Sequence, residues 1–182
     1  MKNKYIKTFE SFNNLSNLTP EQSKLVRTPE FKAWFGDWEN DPENSSKVLD
    51  ENGEPLVVYH GGNVGNVFDK NKIGLNDFGW YGYGFYFTED LSFASAWGSV
   101  KPYFIVIRNP FHIKMKGIEM DNPFYNNSKI ETNNKIKEGY DGTFAKLSNP
   151  NEYVVYYDFP KNIKLADGSN TTFDSNNSDI RK

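Results

Sequence analysis

The chain contains no cysteine. That excludes disulfides, thiolate metal sites and a cysteine nucleophile. Histidine is nearly absent: His60 and His112 are the only two in 182 residues, too few to suggest a histidine-rich metal centre. No metal is therefore expected. No apolar run approaches the roughly 18 residues of a membrane-crossing helix. Neither sign of charge dominates, since the net charge is −3 and the signs are mixed along the chain. A strongly basic nucleic-acid face is not indicated. The opening residues, Met1-Lys2-Asn3-Lys4-Tyr5, lack the apolar block of a secretory signal. The expectation is a cytoplasmic protein with no membrane partner.

Aromatics, by contrast, are plentiful at 16%, which raises the question of whether some stack on a ligand. The length suits one domain with extra terminal segments. Residues 1–18 form an N-terminal arm. Ile6, Phe9 and Phe12 make a short apolar stripe that breaks off at Asn13, Asn14 and Asn17. This segment reads either as a loosely ordered terminus or as an interaction tag. Residues 19–182 then read as the domain, with a core over about 47–166. The tail 167–182, rich in Gly, Asn, Asp and Ser, is expected to be mostly extended or mobile.

Two short helices open the domain. Thr19-Pro20-Glu21-Gln22 supplies an N-cap, a proline at the first helical position and a capping-box glutamine. Thr28-Pro29-Glu30 repeats the signal, and Phe31, Trp34 and Phe35 share one helical face. Gly36 can end that helix. Asn40 to Ser46 reads as a polar loop, and Glu51-Asn52-Gly53-Glu54 as a turn. Strands are predicted at Leu56–Tyr59, Phe85–Thr88, Tyr103–Ile107, Phe111–Met115, Thr143–Leu147, Tyr153–Tyr157 and Ile163–Leu165. Tyr103–Ile107 is apolar on both faces, so a central position is predicted. Asp90 can cap a short helix through Trp97. Residues 61–84 are irregular, and 117–138 read as a polar insertion with a short helix near Lys135. Strands outnumber helices and the helices cluster early, which gives the α+β class.

Three segments could carry chemistry. In Val58-Tyr59-His60-Gly61-Gly62 an imidazole stands beside backbone that lacks Cβ and can approach a ligand closely. A structural histidine near a turn fits the same residues. In Gly82-Tyr83-Gly84-Phe85-Tyr86-Phe87-Thr88, with Trp97 downstream, the spacing is neither a Rossmann fingerprint nor a P-loop. It fits an aromatic core strand or an aromatic clamp for a flat ring. In Asn151-Glu152-Tyr153-Val154-Val155-Tyr156-Tyr157 a carboxylate heads an apolar strand and shares a face with Val154 and Tyr156. Burying an unpaired carboxylate is costly, so Glu152 has partners or function, or else it sits at an exposed edge.

In order and content these segments resemble the H-Y-E branch of ADP-ribosyltransferases, which includes diphtheria toxin and the poly(ADP-ribose) polymerases. His60-Gly61 is similar to that branch's His-Gly. Gly82-x-Gly84-x-Tyr86-Phe87 is similar to its glycine-rich Tyr strand, and Asn151-Glu152-Tyr153-Val154-Val155-Tyr156 to its Glu strand. A closer likeness is the transferase domain of bacteriophage polyvalent proteins. There a segment like Arg27 to Asp37 precedes the domain and a tail like Gly168 to Arg181 follows it. The resemblance then covers roughly residues 25–182.

The resemblance implies an ADP-ribosyltransferase-like fold of two packed, mostly antiparallel sheets with short flanking helices. It implies a mono-ADP-ribosyltransferase with NAD⁺ as co-substrate and no metal. His60 would hydrogen-bond the adenosine-side ribose, and the Gly61 backbone would hold the nicotinamide carboxamide. Tyr86 and Trp97 would sandwich the nicotinamide ring, and Glu152 would bind the 2′-OH of its ribose. Departures stand at three places, the first being the second stacking ring, where Trp97 stands rather than Tyr and preserves the stack. The polymerases place a Ser on the helix after the Tyr strand to bind the carboxamide; Ala94 stands there here, next to Ser95, so one amide hydrogen bond would be lost, with Ser95 counted among the cofactor-binding residues. Pro150 stands where arginine-specific enzymes carry a Glu, so arginine gains no support as acceptor. The acceptor implied is a host protein, or else a nucleic acid. If the chain is phage-encoded, residues 1–12 could associate with a capsid. Other readings of the same residues are a metal-independent ribonuclease with His60 and Glu152 as base and acid, an inactive NAD-binding or interaction module, and plain NAD⁺ hydrolysis.

Overall fold

The computed structural model describes residues 17–75, 78–116, 119–146 and 150–182. Most of the proposed arm therefore lies outside the described residues. Its last two residues do not stand apart. The Asn17 side chain accepts from the Val57 N–H at 2.9 Å and donates to Asp50, and Leu18 is buried.

Helices α1 (Pro20–Leu25) and α2 (Pro29–Phe35) form where their caps predict. Thr19 and Gln22 complete a capping box, and Thr28 accepts from the Phe31 N–H. Gly36, with φ at +102°, ends α2. The strands are β1 (Val58–Gly61), β2 (Gly84–Thr88), β3 (Val100–Ile105), β4 (Pro110–Lys116), β5 (Glu119–Asp121), β6 (Gly142–Ala145), β7 (Glu152–Tyr156) and β8 (Ile163–Leu165). Two more helices, α3 (Leu91–Ser95) and α4 (Ser128–Lys137), follow β2 and β5. The fold is α+β. Strand β5 falls in the segment read from sequence as a polar insertion. The predicted stretch 143–147 runs at its end into residues outside those described.

Hydrogen bonding links the strands in the order β5-β4-β6-β7-β2-β1-β3-β8. Every pairing is antiparallel except β4 with β6. Against the expectation of two separate packed sheets, the ladder is continuous. Its weakest point is the β1–β2 junction, joined at one register pair, Tyr59↔Thr88. Strand β3 is penultimate rather than central. It is apolar on both faces because both faces are covered.

Strand alternation builds that double cover. Phe85, Phe87, Tyr103, Ile105, Tyr153 and Val155 enter one cluster. Phe104 and Val106 enter a second, under α1 and α2, with Phe31, Trp34 and Phe35. Val154 and Tyr156 enter a third with Phe124 and, at its edge, Tyr86. The tail 167–182 is irregular, as expected, yet it is not loose. Phe173 is buried against Phe31 and Trp34. Ile180 is buried and bonds by its backbone to Leu165 and Asn66. Buried Lys164 donates to the carbonyls of Asn177 and Asp179 at 2.7 and 3.0 Å. Apolar anchors at Phe173 and Ile180 overrule the polar composition around them.

Candidate active site

The β1–β2 junction is where the site opens. The Gly62 N–H donates to the Ser99 carbonyl across the β1–β3 ladder. By antiparallel alternation, Gly61 then turns its own N–H and C=O away from β3, toward β2. Yet β2 has stopped pairing after Tyr59↔Thr88. Further along, the Tyr86 carbonyl accepts instead from the His60 side chain, with Nδ1 at 2.7 Å. The two strands part beyond this point, and a cleft of about 270 Å³ occupies the opening.

His60, Gly61, Tyr86, Trp97 and Glu152 all line that cleft. This convergence is not trivial, because alternation sends them to different faces. The His60 ring packs edge-on against Phe68 and Tyr103, with centroids at 5.0 and 6.4 Å, on the side of the first cluster. Tyr86 sits beside the third cluster, and Glu152 shares the parity of Val154 and Tyr156. Only a break in the ladder lets one cavity reach both.

The His60 bond fixes its tautomer. A carbonyl can only accept, so Nδ1 carries the proton and the neutral ring leaves Nε2 as an acceptor. Burial pushes the His60 pKa below the ordinary 6.5, and the bond to the Tyr86 carbonyl opposes this in part. The imidazole is therefore neutral at physiological pH.

Tyr86 is held at its far end. Its hydroxyl donates to the Gly82 carbonyl and accepts from the Tyr81 N–H, both at 2.9 Å. That loop is pinned in turn by α4, where Thr132 accepts from the Tyr83 N–H at 2.8 Å. Glu152 is half-buried at the start of β7, opposite Thr88 in β2. Burial, and then the Glu152 charge nearby, raise the Tyr81 phenol above its usual range.

Gly61 has a packing reason to be glycine. A Cβ there would fall on the Ala94 carbonyl of α3 and lie 3.1 Å from Trp97 Cβ. Glycine at this position brings α3 against β1, and so sets Ala94 and Trp97 on the cleft wall. Trp97 lies just past the end of α3 and is half exposed at the rim. Ser95 is not brought in. It is exposed, and its hydroxyl donates to the Ser92 carbonyl of its own helix at 2.7 Å. From sequence the loop 62–80 is expected to shape acceptor choice, but that reading names none of the side chains on the wall formed by 63–74. Asn63, Phe68, Asp69 and Lys72 line the cleft there. The local signal was Asp69, whose carboxylate caps the 3₁₀ turn Lys70–Lys72.

No curated protein and no solved structure matches the chain. The model of the family described as ADP-ribosyltransferase in polyvalent proteins matches residues 50–173. That span holds β1, α3, β7 and every lining residue of the cleft. It covers more than half of the 182 residues, and the chain belongs to this ADP-ribosyltransferase family.

Proposed function

We propose that the protein is a mono-ADP-ribosyltransferase that cleaves NAD⁺ at the nicotinamide–ribose bond and passes ADP-ribose to an acceptor. The observation that carries this reading is the single cleft shared by His60, Gly61, Tyr86, Trp97 and Glu152. The H-Y-E assignment rests on the same residues. In this reading the two halves of the ladder act as two sheets parting at β1 and β2. Residues 1–18 are an arm whose last two residues, Asn17 and Leu18, join the domain, and the rest is the transferase domain.

The roles follow from the groups each residue presents. His60 Nε2 accepts from a hydroxyl of the adenosine-side ribose. The Gly61 peptide faces the opening with one donor and one acceptor, which matches a carboxamide. Tyr86 and Trp97 stack on the nicotinamide ring, and its positive charge adds about 0.5–2 kcal/mol by cation–π attraction. As the C–N bond breaks, nicotinamide leaves neutral and positive charge develops on the ribose. The Glu152 carboxylate holds the 2′-OH and stabilises that oxocarbenium-like charge, as carboxylates do in glycosidases. The leaving group needs no Lewis acid. The acceptor's nucleophile then attacks the anomeric carbon and gives up its proton. With Pro150 two residues ahead of Glu152, the position where arginine-specific enzymes carry a Glu has no carboxylate. Ser95 takes no part.

We take the acceptor to be a host protein of a phage-encoded enzyme acting in the host cytoplasm, with a nucleic acid as the other acceptor class. Residues 1–12 are the segment that would associate with a capsid. The family match supports transfer over the ribonuclease reading. The test is incubation of the protein and labelled NAD⁺ with a bacterial lysate, followed by mass spectrometry. A labelled macromolecule supports transfer. Free ADP-ribose as the sole product points to hydrolysis, and no nicotinamide release overturns the proposal.

A further inference from the structure

The cleft wall at 63–74 carries a positive charge that takes no part in breaking the nicotinamide–ribose bond. Among the described residues lining the cleft, the ionisable side chains besides tyrosine are His60, Asp69, Lys72 and Glu152. His60 is kept neutral by burial. Lys72 is thus the one cation of the lining. Its ammonium makes no hydrogen bond or ion pair with any described residue. Asp69 forms no ion pair with it; that carboxylate accepts from the Asn71 N–H at 2.9 Å and caps the turn.

The position of Lys72 is built. The capped turn Lys70–Lys72 closes with the Lys72 N–H bonded to the Asp69 carbonyl at 3.0 Å. Just before it, Phe68 is buried and packs on the His60 ring at 5.0 Å. Just after it, the Ile73 carbonyl accepts from the Tyr83 hydroxyl at 3.4 Å. The turn that carries Lys72 is therefore anchored on either side, by Phe68 on the His60 ring and by Ile73 on Tyr83, and it holds an exposed Lys72 on the cleft wall. A dinucleotide diphosphate carries two negative charges next to its adenosine-side ribose. Inside a cleft that also holds two carboxylates, it needs a cation to lie there.

We propose that Lys72 forms the diphosphate subsite of the cleft and sets the register of the dinucleotide between His60 and Glu152. This rests on the reading of the cleft as an NAD⁺ site. The diphosphate is remote from the bond that breaks, so Lys72 binds ground state and transition state alike. Losing it raises KM and leaves kcat unchanged.

The experiment measures ADP-ribose binding to the full chain by calorimetry at low and high salt, and nicotinamide release from NAD⁺, for wild type, Lys72→Ala and Lys72→Arg. Lys72→Ala should weaken ADP-ribose binding and raise KM about tenfold, the scale of a charge-assisted hydrogen bond discounted for exposure. It should also flatten the salt dependence. Lys72→Arg should restore most of the binding, since arginine also pairs with phosphate. An unchanged melting temperature excludes a structural cause. Wild-type affinity and salt slope in Lys72→Ala, with nicotinamide still released, would overturn the subsite alone. A wild-type protein that neither binds ADP-ribose nor releases nicotinamide would overturn the NAD⁺ reading and the subsite with it.

Discussion

Gly61→Ala offers a severe test of how the cleft is assembled. The added Cβ would land on the Ala94 carbonyl oxygen, at 3.0 Å from the Ala94 carbonyl carbon and 3.1 Å from Trp97 Cβ. Two of these atoms are backbone and cannot rotate aside, so α3 must move off β1. Overpacking of this kind costs about 1–3 kcal/mol, and rigid backbone places the effect at the upper end. For a chain of this size each kcal/mol lowers the melting temperature by about 2–4 °C. A drop of about 6–12 °C is expected by circular dichroism. Because α3 carries Ala94 and leads into Trp97, NAD⁺ turnover measured well below the melt should fall as well. Gly65→Ala is the control in the same segment. A Cβ there meets nothing within 4 Å, and its effect should stay within about 0.5 kcal/mol. If Gly61→Ala melts with the wild type and keeps its turnover, the argument that glycine seats α3 on β1 is wrong.

Three further outcomes are expected. Burial holds the His60 pKa below 6.5, so its contribution to stability is present above that value and is lost as pH falls through the window beneath it; the acid limb of kcat/KM for NAD⁺ should likewise have its midpoint below 6.5, and a midpoint above 6.5 would contradict the neutral acceptor role. Phe173→Ala should cost about 3–5 kcal/mol by leaving a cavity against Phe31 and Trp34; a chemical denaturation curve that matches the wild type would mean the tail is not part of the core. Trp97→Ala should weaken NAD⁺ binding by about 0.5–2 kcal/mol with little loss of stability, since Trp97 is 56% exposed; titration showing unaltered affinity would remove Trp97 from the stack.

The legible parts of the sequence were those governed by local rules. Caps and prolines placed α1 and α2, and apolar runs placed most strands. The three motifs named the side chains that meet in the cleft. Neighbour order was not legible, because the number of apolar residues in 103–107 reports burial of both faces and not position in the ladder. The tail misled because two anchors, Phe173 and Ile180, outweigh a polar composition. Ser95 misled because adjacency in sequence is a turn of about 100° on a helix, which carries it away from the wall where Ala94 lies. The wall at 63–74 was invisible because a capped 3₁₀ turn has no periodic pattern. Gly61 was read as room for a ligand, whereas its Cβ position is filled by a neighbouring helix.

The decisive measurement is nicotinamide release from NAD⁺ by wild type and Glu152→Gln, with ADP-ribose binding and thermal melting recorded on the same samples. Removing one preorganised charge-stabilising group typically costs about 10²–10³ in rate. A loss of that size, with binding and melting intact, is the predicted result. Nicotinamide release at the wild-type rate from the Glu152→Gln protein would contradict the account.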